Sequence, residues 1–167
     1  MEVRPARLDD AAAIAVVNIR AWQAAYAHAF GAERLSAMDL EAQRELWRQR
    51  LAQPRRGDVV LVAEADGSVV GFASCGNSLD ASGEGELYSI YVLPEAWGSG
   101  AGPALMAAAL AALRAGGFDT AILWVLEDNP RAQRFYEREG WTRDGGRREE
   151  EFLGVTITEI GYRITLG

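Results

Sequence analysis

The sequence predicts one mixed α/β domain over residues 1–167, a central sheet of about seven strands flanked by about four helices. Three observations predict it. Runs with period-two apolar alternation are interleaved with longer, helix-like stretches instead of being segregated from them. Asp66-Gly67 stands between two such alternating runs, the strongest short-range hairpin signal a sequence offers. Near mid-chain, strand-like residues 86–92 lead through a glycine-rich loop into a helix and then into a second apolar strand at 118–126.

Taken in order, residues 2–7 read as the first strand. Asp9 is placed to cap a helix over 11–27, whose larger apolar residues (Ile14, Val17, Ile19, Trp22, Tyr26) follow a helical period loosely. Ser36 or Asp39 starts a second helix through about Leu51, with Leu40, Leu46, Trp47 and Leu51 near one face; Pro54 and Gly57 end it. The hairpin arms are 59–64 and 69–74. A Ser/Asp/Gly loop over 77–85 precedes the strand at 86–92, which alternates and is rich in Tyr, Ile and Val. The loop 94–102 follows, then a helix over 103–115 stopped by Gly116-Gly117. The strand at 118–126 reads as buried. Pro130 opens a short helix over 130–139 that Gly140 stops. The remainder reads as two strands around Gly145-Gly146 and Gly154, with the charge run 147–151 as a solvated edge or turn.

With 24 acidic and 17 basic residues the formal net charge is −7. That argues against nucleic acid and against an anionic membrane surface, both of which reward a basic face, and it suits a cationic acceptor. Every basic residue is Arg, so a Walker-type phosphate loop, which needs Lys, is excluded. One cysteine (Cys75) and one histidine (His28) cannot build a common zinc site or an intramolecular disulfide, so no metal is expected. Cys75 reads as a small buried hydrophobe and His28 as incidental. No apolar run approaches the roughly 20 residues of a membrane span, and the opening residues do not resemble a signal peptide, so a cytoplasmic location is expected.

The chemistry concentrates in Leu93-Pro94-Glu95-Ala96-Trp97-Gly98-Ser99-Gly100-Ala101-Gly102-Pro103. Glycines let backbone N–H groups turn inward and an anion come close, and the helix start that follows adds about half a positive charge. Such a loop can hold phosphate or pyrophosphate. It can equally be a plain turn of small residues, and a Rossmann fingerprint is a rival. The spacing here is G-x-G-x-G, not G-x-G-x-x-G, and the loop follows a hairpin instead of opening a βαβ array.

Val92-x-Pro94 followed by W-G-S-G-A-G resembles motif A of the GNAT N-acetyltransferases, [Q/R]-x-x-G-x-[G/A]. Gly100 and Gly102 match, while Trp97 stands at the Gln/Arg position. The stretch 123–141, with Asn129, Ala132, the Phe135-Tyr136 pair and the Gly140-Trp141 ending, resembles the family's motif B. Val3-Arg4-Pro5-Ala6, Asp9-Asp10, Trp22 and Tyr26 resemble the start of many members, so the likeness covers essentially the whole chain.

The resemblance implies a single GNAT-like domain using acetyl-CoA as cosubstrate and transferring its acetyl group to a primary amine of a small molecule or peptide by direct attack. A non-catalytic acetyl-CoA-binding sensor or interaction module on the same fold is the alternative. Acetyl-CoA would enter a V-shaped opening between the parallel strands 86–92 and 121–126. The cofactor contacts implied are Ile90, Tyr91 and Val92 on the strand, Trp97, Gly98, Ser99, Gly100, Ala101 and Gly102 in the loop, and Asn129, Ala132 and Tyr136 beyond it. Val92 N–H is the simplest oxyanion donor. Tyr136, a phenol with a reference pKa of about 10, would protonate the leaving thiolate, or else it packs on the sheet. Asn129 would hold the pantetheine arm, cap a helix, or both. Glu86 would be the base, directly or through water, or a solvated strand-end carboxylate; Tyr88 and Ser89 would order a water or the acceptor. Trp22 and Tyr26 border the acceptor groove or fill the core. A homodimer is common in the family.

Overall fold

In the computed structural model, which describes residues 1–36, 38–152 and 154–167 with the backbone alone at 25–26 and 28–36, Val59–Ala65 (β2) and Ser68–Asn77 (β3) meet at a two-residue turn. Asp66 (φ 52°) and Gly67 (φ 79°) are both left-handed there, as the twist of a tight hairpin requires. Around this hairpin a seven-stranded sheet is built in the order β1-β2-β3-β4-β5-β7-β6, with Glu2–Pro5 (β1), Gly85–Val92 (β4), Thr120–Leu126 (β5), Thr142–Phe152 (β6) and Val155–Thr165 (β7). Ala11–Ser36 (α1), Leu40–Ala52 (α2), Ala101–Ala115 (α3) and Pro130–Arg138 (α4) complete the expected mixed α/β architecture.

The two faces of the sheet are covered by different helices. Leu105, Met106, Ala109 and Leu113 of α3 pack with Ala73, Leu87, Ile90, Leu123 and Val125 on one face. Ile14 and Val17 of α1 and Trp47 of α2 pack with Val62 and Phe72 on the other. Burying these stripes is the main favourable term holding helices to sheet, at roughly 1.5–3 kcal/mol per large apolar side chain.

All strand neighbours are antiparallel except β4 and β5, joined through α3. That parallel pair has register partners only at Gly85↔Ala121 and Glu86↔Ile122. Beyond them the strands diverge, opening the V expected between 86–92 and 121–126. A doubly wound dinucleotide fold needs a mostly parallel sheet, so the Rossmann reading falls.

Several boundaries moved for identifiable reasons. Leu8–Asp10 forms a 3-10 turn, and Asp10, not Asp9, makes the ordering bonds, accepting from Arg7 N–H at 2.7 Å and from Arg4. The first helix continues to Ser36, well past 27, since no proline interrupts it. The second helix starts from Asp39, whose carboxylate accepts from Glu41 and Ala42 N–H. The third begins at Ala101, two residues before Pro103, because Gly100 at φ 94° supplies its N-cap. Gly145-Gly146 does not turn the chain; it sits in a register shift between Arg143 and Arg147 within β6. The side chains of Tyr26 and His28 lie outside the described residues.

Candidate active site

Strand β4 sets the geometry. Leu93 N–H donates to Val70 O across the ladder with β3, which makes Leu93 and Tyr91 the hydrogen-bonded positions and turns the N–H and C=O of Ile90 and Val92 away from β3. Those groups therefore face the gap that β5 leaves. The alternation read from the sequence is broken at Tyr88, where β3 and β4 shift register. As a result Leu87 and Ile90 share the α3 face, and Glu86 is turned to the opposite one.

A cleft of about 460 Å³ opens along this gap. Ile90, Tyr91, Val92, Trp97, Gly98, Gly100, Gly102, Asn129, Ala132 and Tyr136 line it, bringing together most of the residues singled out in the sequence. Ser99, Ala101 and Glu86 do not line it. Ala101 is buried in the first turn of α3, and its N–H reaches Ser99 Oγ at 3.4 Å.

The loop is shaped by backbone. Pro94–Ala96 winds one 3-10 turn, and Gly98 (φ 79°) and Gly100 (φ 94°) take left-handed conformations open to solvent, which a side chain would strain. The first N–H groups of α3 have no partner within the helix, so the loop and helix start present donors to the cleft. Gly102 matters for a different reason: a Cβ there would lie 3.3 Å from Phe135 of α4, so its absence lets the two helices close around the cleft.

Trp97, at the motif's Gln/Arg position, makes two contacts of a different kind. Its indole N–H donates to Val92 O at 2.9 Å, and its ring carries the Arg131 guanidinium at 3.5 Å. The Val92 carbonyl is thereby occupied while its N–H still faces the gap.

On α4, Asn129 is buried, and its carbonyl oxygen caps the helix by accepting from Ala132 N–H at 3.2 Å. Both readings of this residue are compatible, since it also lines the cleft. Tyr136 is half-buried in an aromatic group with Phe135, Trp141 and Tyr162, at centroid distances of 5.6, 6.5 and 6.2 Å.

Glu86 is 6 % exposed, so it is no solvated strand end. Its Oε1 accepts from Leu79 N–H at 3.1 Å. Burial pushes its carboxyl above the ordinary value, against the lowering effects of the Leu79 N–H and Arg148. Ser89 and Ser74 share a hydrogen bond of 2.5 Å, and Tyr88 donates to Asn77 O. Trp22 stacks on Phe152 at 4.5 Å and meets Tyr91 at 6.2 Å, so it bridges α1, β4 and β6. Cys75 is buried and its thiol is pushed up to about 11, principally by burial, consistent with a packing residue.

Sequence reasoning missed Ala21, Ala96, Pro103, Arg131, Phe135, Arg138 and Glu139 in the cleft lining. Arg131 had a local signal, two residues past Asn129; Ala21 had none, because it arrives from the first helix. Among the described residues no cluster of metal-ligating side chains occurs, and no helix is long and apolar enough to cross a membrane.

A cleft between two diverging parallel strands, edged by backbone groups and closed by a glycine loop, is the geometry that the resemblance to the GNAT acetyltransferases predicts. The comparisons agree. The profile of the Acetyltransferase (GNAT) family matches residues 19–141. The uncharacterized N-acetyltransferase YuaI of Bacillus subtilis (strain 168) is 32 % identical over 163 residues, covering 95 % of this chain and 90 % of that protein. Among solved structures, the PaiA N-acetyltransferase of Thermoplasma acidophilum in complex with coenzyme A superposes with a TM-score of 0.79 at 18 % identity, covering 98 % of each chain. The protein yncA of Salmonella typhimurium, with its cofactor acetyl-CoA, gives 0.74 at 22 %, covering 100 % of this chain and 94 % of that one. The chain belongs to the GNAT family and is an acyl-CoA-dependent N-acetyltransferase.

Proposed function

We propose that the cleft seats acetyl-CoA and that the enzyme passes its acetyl group directly to a primary amine of a small molecule or peptide. The observation that carries this reading is the gap beside Ile90 and Val92, whose backbone groups face inward and whose mouth is the glycine loop. The pantetheine arm would lie along β4 as an added strand partner, and the pyrophosphate would rest on the loop N–H groups of Gly98, Gly100 and Gly102, since Ser99 N–H is taken by Ala96 O and Ala101 N–H by Ser99 Oγ. Asn129, its carbonyl spent on the cap, keeps its amide donors for the arm.

The amine attacks the thioester carbonyl carbon. The N–C bond forms, the C–S bond breaks, and the sulfur leaves with the electron pair. Val92 N–H stabilises the oxyanion. The Tyr136 phenol gives its proton to the departing thiolate and regains one from solvent. Glu86 takes the ammonium proton. It stands four residues from Ile90, about 13 Å along the strand, and on the opposite face, so the transfer runs through ordered water. Its raised carboxyl pKa makes it a better match to an amine than an ordinary carboxylate. Asp80 and Glu159 add negative potential around it, and with the net charge of −7 this favours a cationic acceptor.

The test is release of free CoA thiol from acetyl-CoA, monitored across a panel of polyamines, amino acids and peptides. Amine-dependent release that Tyr136→Phe abolishes supports the reading. Release with no amine dependence contradicts it.

A further inference from the structure

Three arginines rise from α4 at positions 131, 134 and 138, and Arg131 and Arg138 line the cleft. None of the three is ion-paired among the described residues. Arg131 is held in a particular way. Its guanidinium carbon lies 3.5 Å from the centroid of the Trp97 ring, a stacking distance. The ring is itself pinned by the indole bond to Val92 O. A stacked guanidinium keeps its N–H edges free, and that planar fork matches two phosphate oxygens at once. Partial desolvation of this otherwise exposed side chain, and then the neighbouring Arg138 and Arg134 charges, press against its charged form, and no carboxylate offsets them. Gly98, Gly100 and Gly102 of the glycine loop line the same cleft.

We propose that Arg131, oriented by stacking on Trp97, is a binding residue for a phosphate of the CoA nucleotide half, either the pyrophosphate or the 3′-phosphate. Trp97 offers no ionic contact of its own at the position where the motif has Gln or Arg. It serves as the platform for a cation delivered from α4. The proposal rests on the reading that the cleft seats acetyl-CoA.

The experiment is calorimetric titration of wild type, Arg131→Gln and Trp97→Leu with CoA, dephospho-CoA and phosphate-free acetyl-pantetheine, at low and high salt. Arg131→Gln should weaken CoA binding about ten- to hundredfold and flatten its salt dependence, while acetyl-pantetheine binding changes less than about twofold. Trp97→Leu should weaken CoA in the same sense, and the double variant should be little worse than Arg131→Gln alone, because the two act as one unit. If Arg131→Gln erases the preference for CoA over dephospho-CoA, the partner is the 3′-phosphate; if the loss persists with dephospho-CoA, it is the pyrophosphate. CoA affinity within twofold of wild type in Arg131→Gln, or equal losses for CoA and acetyl-pantetheine, overturns the proposal while leaving the cofactor assignment intact. Failure of wild type to bind CoA at all overturns the assignment beneath it.

Discussion

The two ends of β4 are built on different principles. At the Val92 end the site is made of backbone: N–H groups turned into a gap, two glycines at positive φ, and a helix start. The Glu86 end, outside the cleft lining, is made of side chains from separate elements, with a buried carboxylate that accepts from Leu79 N–H and feels Arg148 of β6 and Glu159 of β7. The first end suits a cofactor that is always the same, because backbone contacts tolerate sequence change. The second suits an acceptor that differs from enzyme to enzyme, because side chains on distant strands can be exchanged without disturbing the cradle.

The largest effect is expected at Tyr136, which lines the cleft from α4. Tyr136→Phe should lower kcat by at least about 10²-fold with acetyl-CoA affinity within about twofold, measured by thiol release and by titration. An equal loss of affinity would make Tyr136 a packing residue. Next comes the backbone end. Gly100→Ala adds about 1–2 kcal/mol of left-handed strain, relieved by turning the loop N–H groups, and should weaken acetyl-CoA about tenfold. Gly67→Ala carries comparable strain in a hairpin away from the cleft and should leave that affinity unchanged.

The Glu86 end is sharpened by pH. If Glu86 is the base, kcat/KM rises with pH through its raised carboxyl pKa, and Glu86→Gln removes that acidic limb while CoA binding stays as it was. The stability sign follows from the same shift. The folded-state pKa lies above the ordinary value near 4.5, so the native protein holds this proton longer than the unfolded chain. Its contribution to stability is full below that ordinary value and is lost as pH rises through the folded one. Glu86→Gln should therefore flatten the melting temperature against pH in that window. The smallest effect belongs to the exposed pair Arg20–Glu95, which ties α1 to the turn before the glycine loop at 2.7 Å. Arg20→Ala should leave the acetyl-CoA dissociation constant within about twofold, as expected for a solvent-screened pair.

The same division explains what the sequence disclosed. The lining of the cleft at the Val92 end was legible because it is local: Gly98, Gly100 and Gly102, the cap at Asn129 and the Phe135-Tyr136 pair stand in two short segments. The fold was legible for a similar reason, since Asp66-Gly67 fixes a hairpin and Gly116-Gly117 ends a helix. The partnership of Trp97 with Arg131 was not legible, because no local rule says that a loop indole and a helix guanidinium will stack. Nor was the bulge at Tyr88, which turns Glu86 to the other face, since alternation alone would keep it with Ile90 and Val92. The environment of Glu86 depends on where β6 and β7 lie, and that is a property of the sheet order.

Thermal melting of the purified protein with acetyl-CoA, CoA and NAD, each at about 100 times a micromolar dissociation constant, tests the central claim most directly. Acetyl-CoA and CoA should each stabilise the fold by about 2.7 kcal/mol, raising the melting temperature by about 5–10 °C, with no shift from NAD. No shift with acetyl-CoA, or one matched by NAD, would contradict the assignment of the cleft.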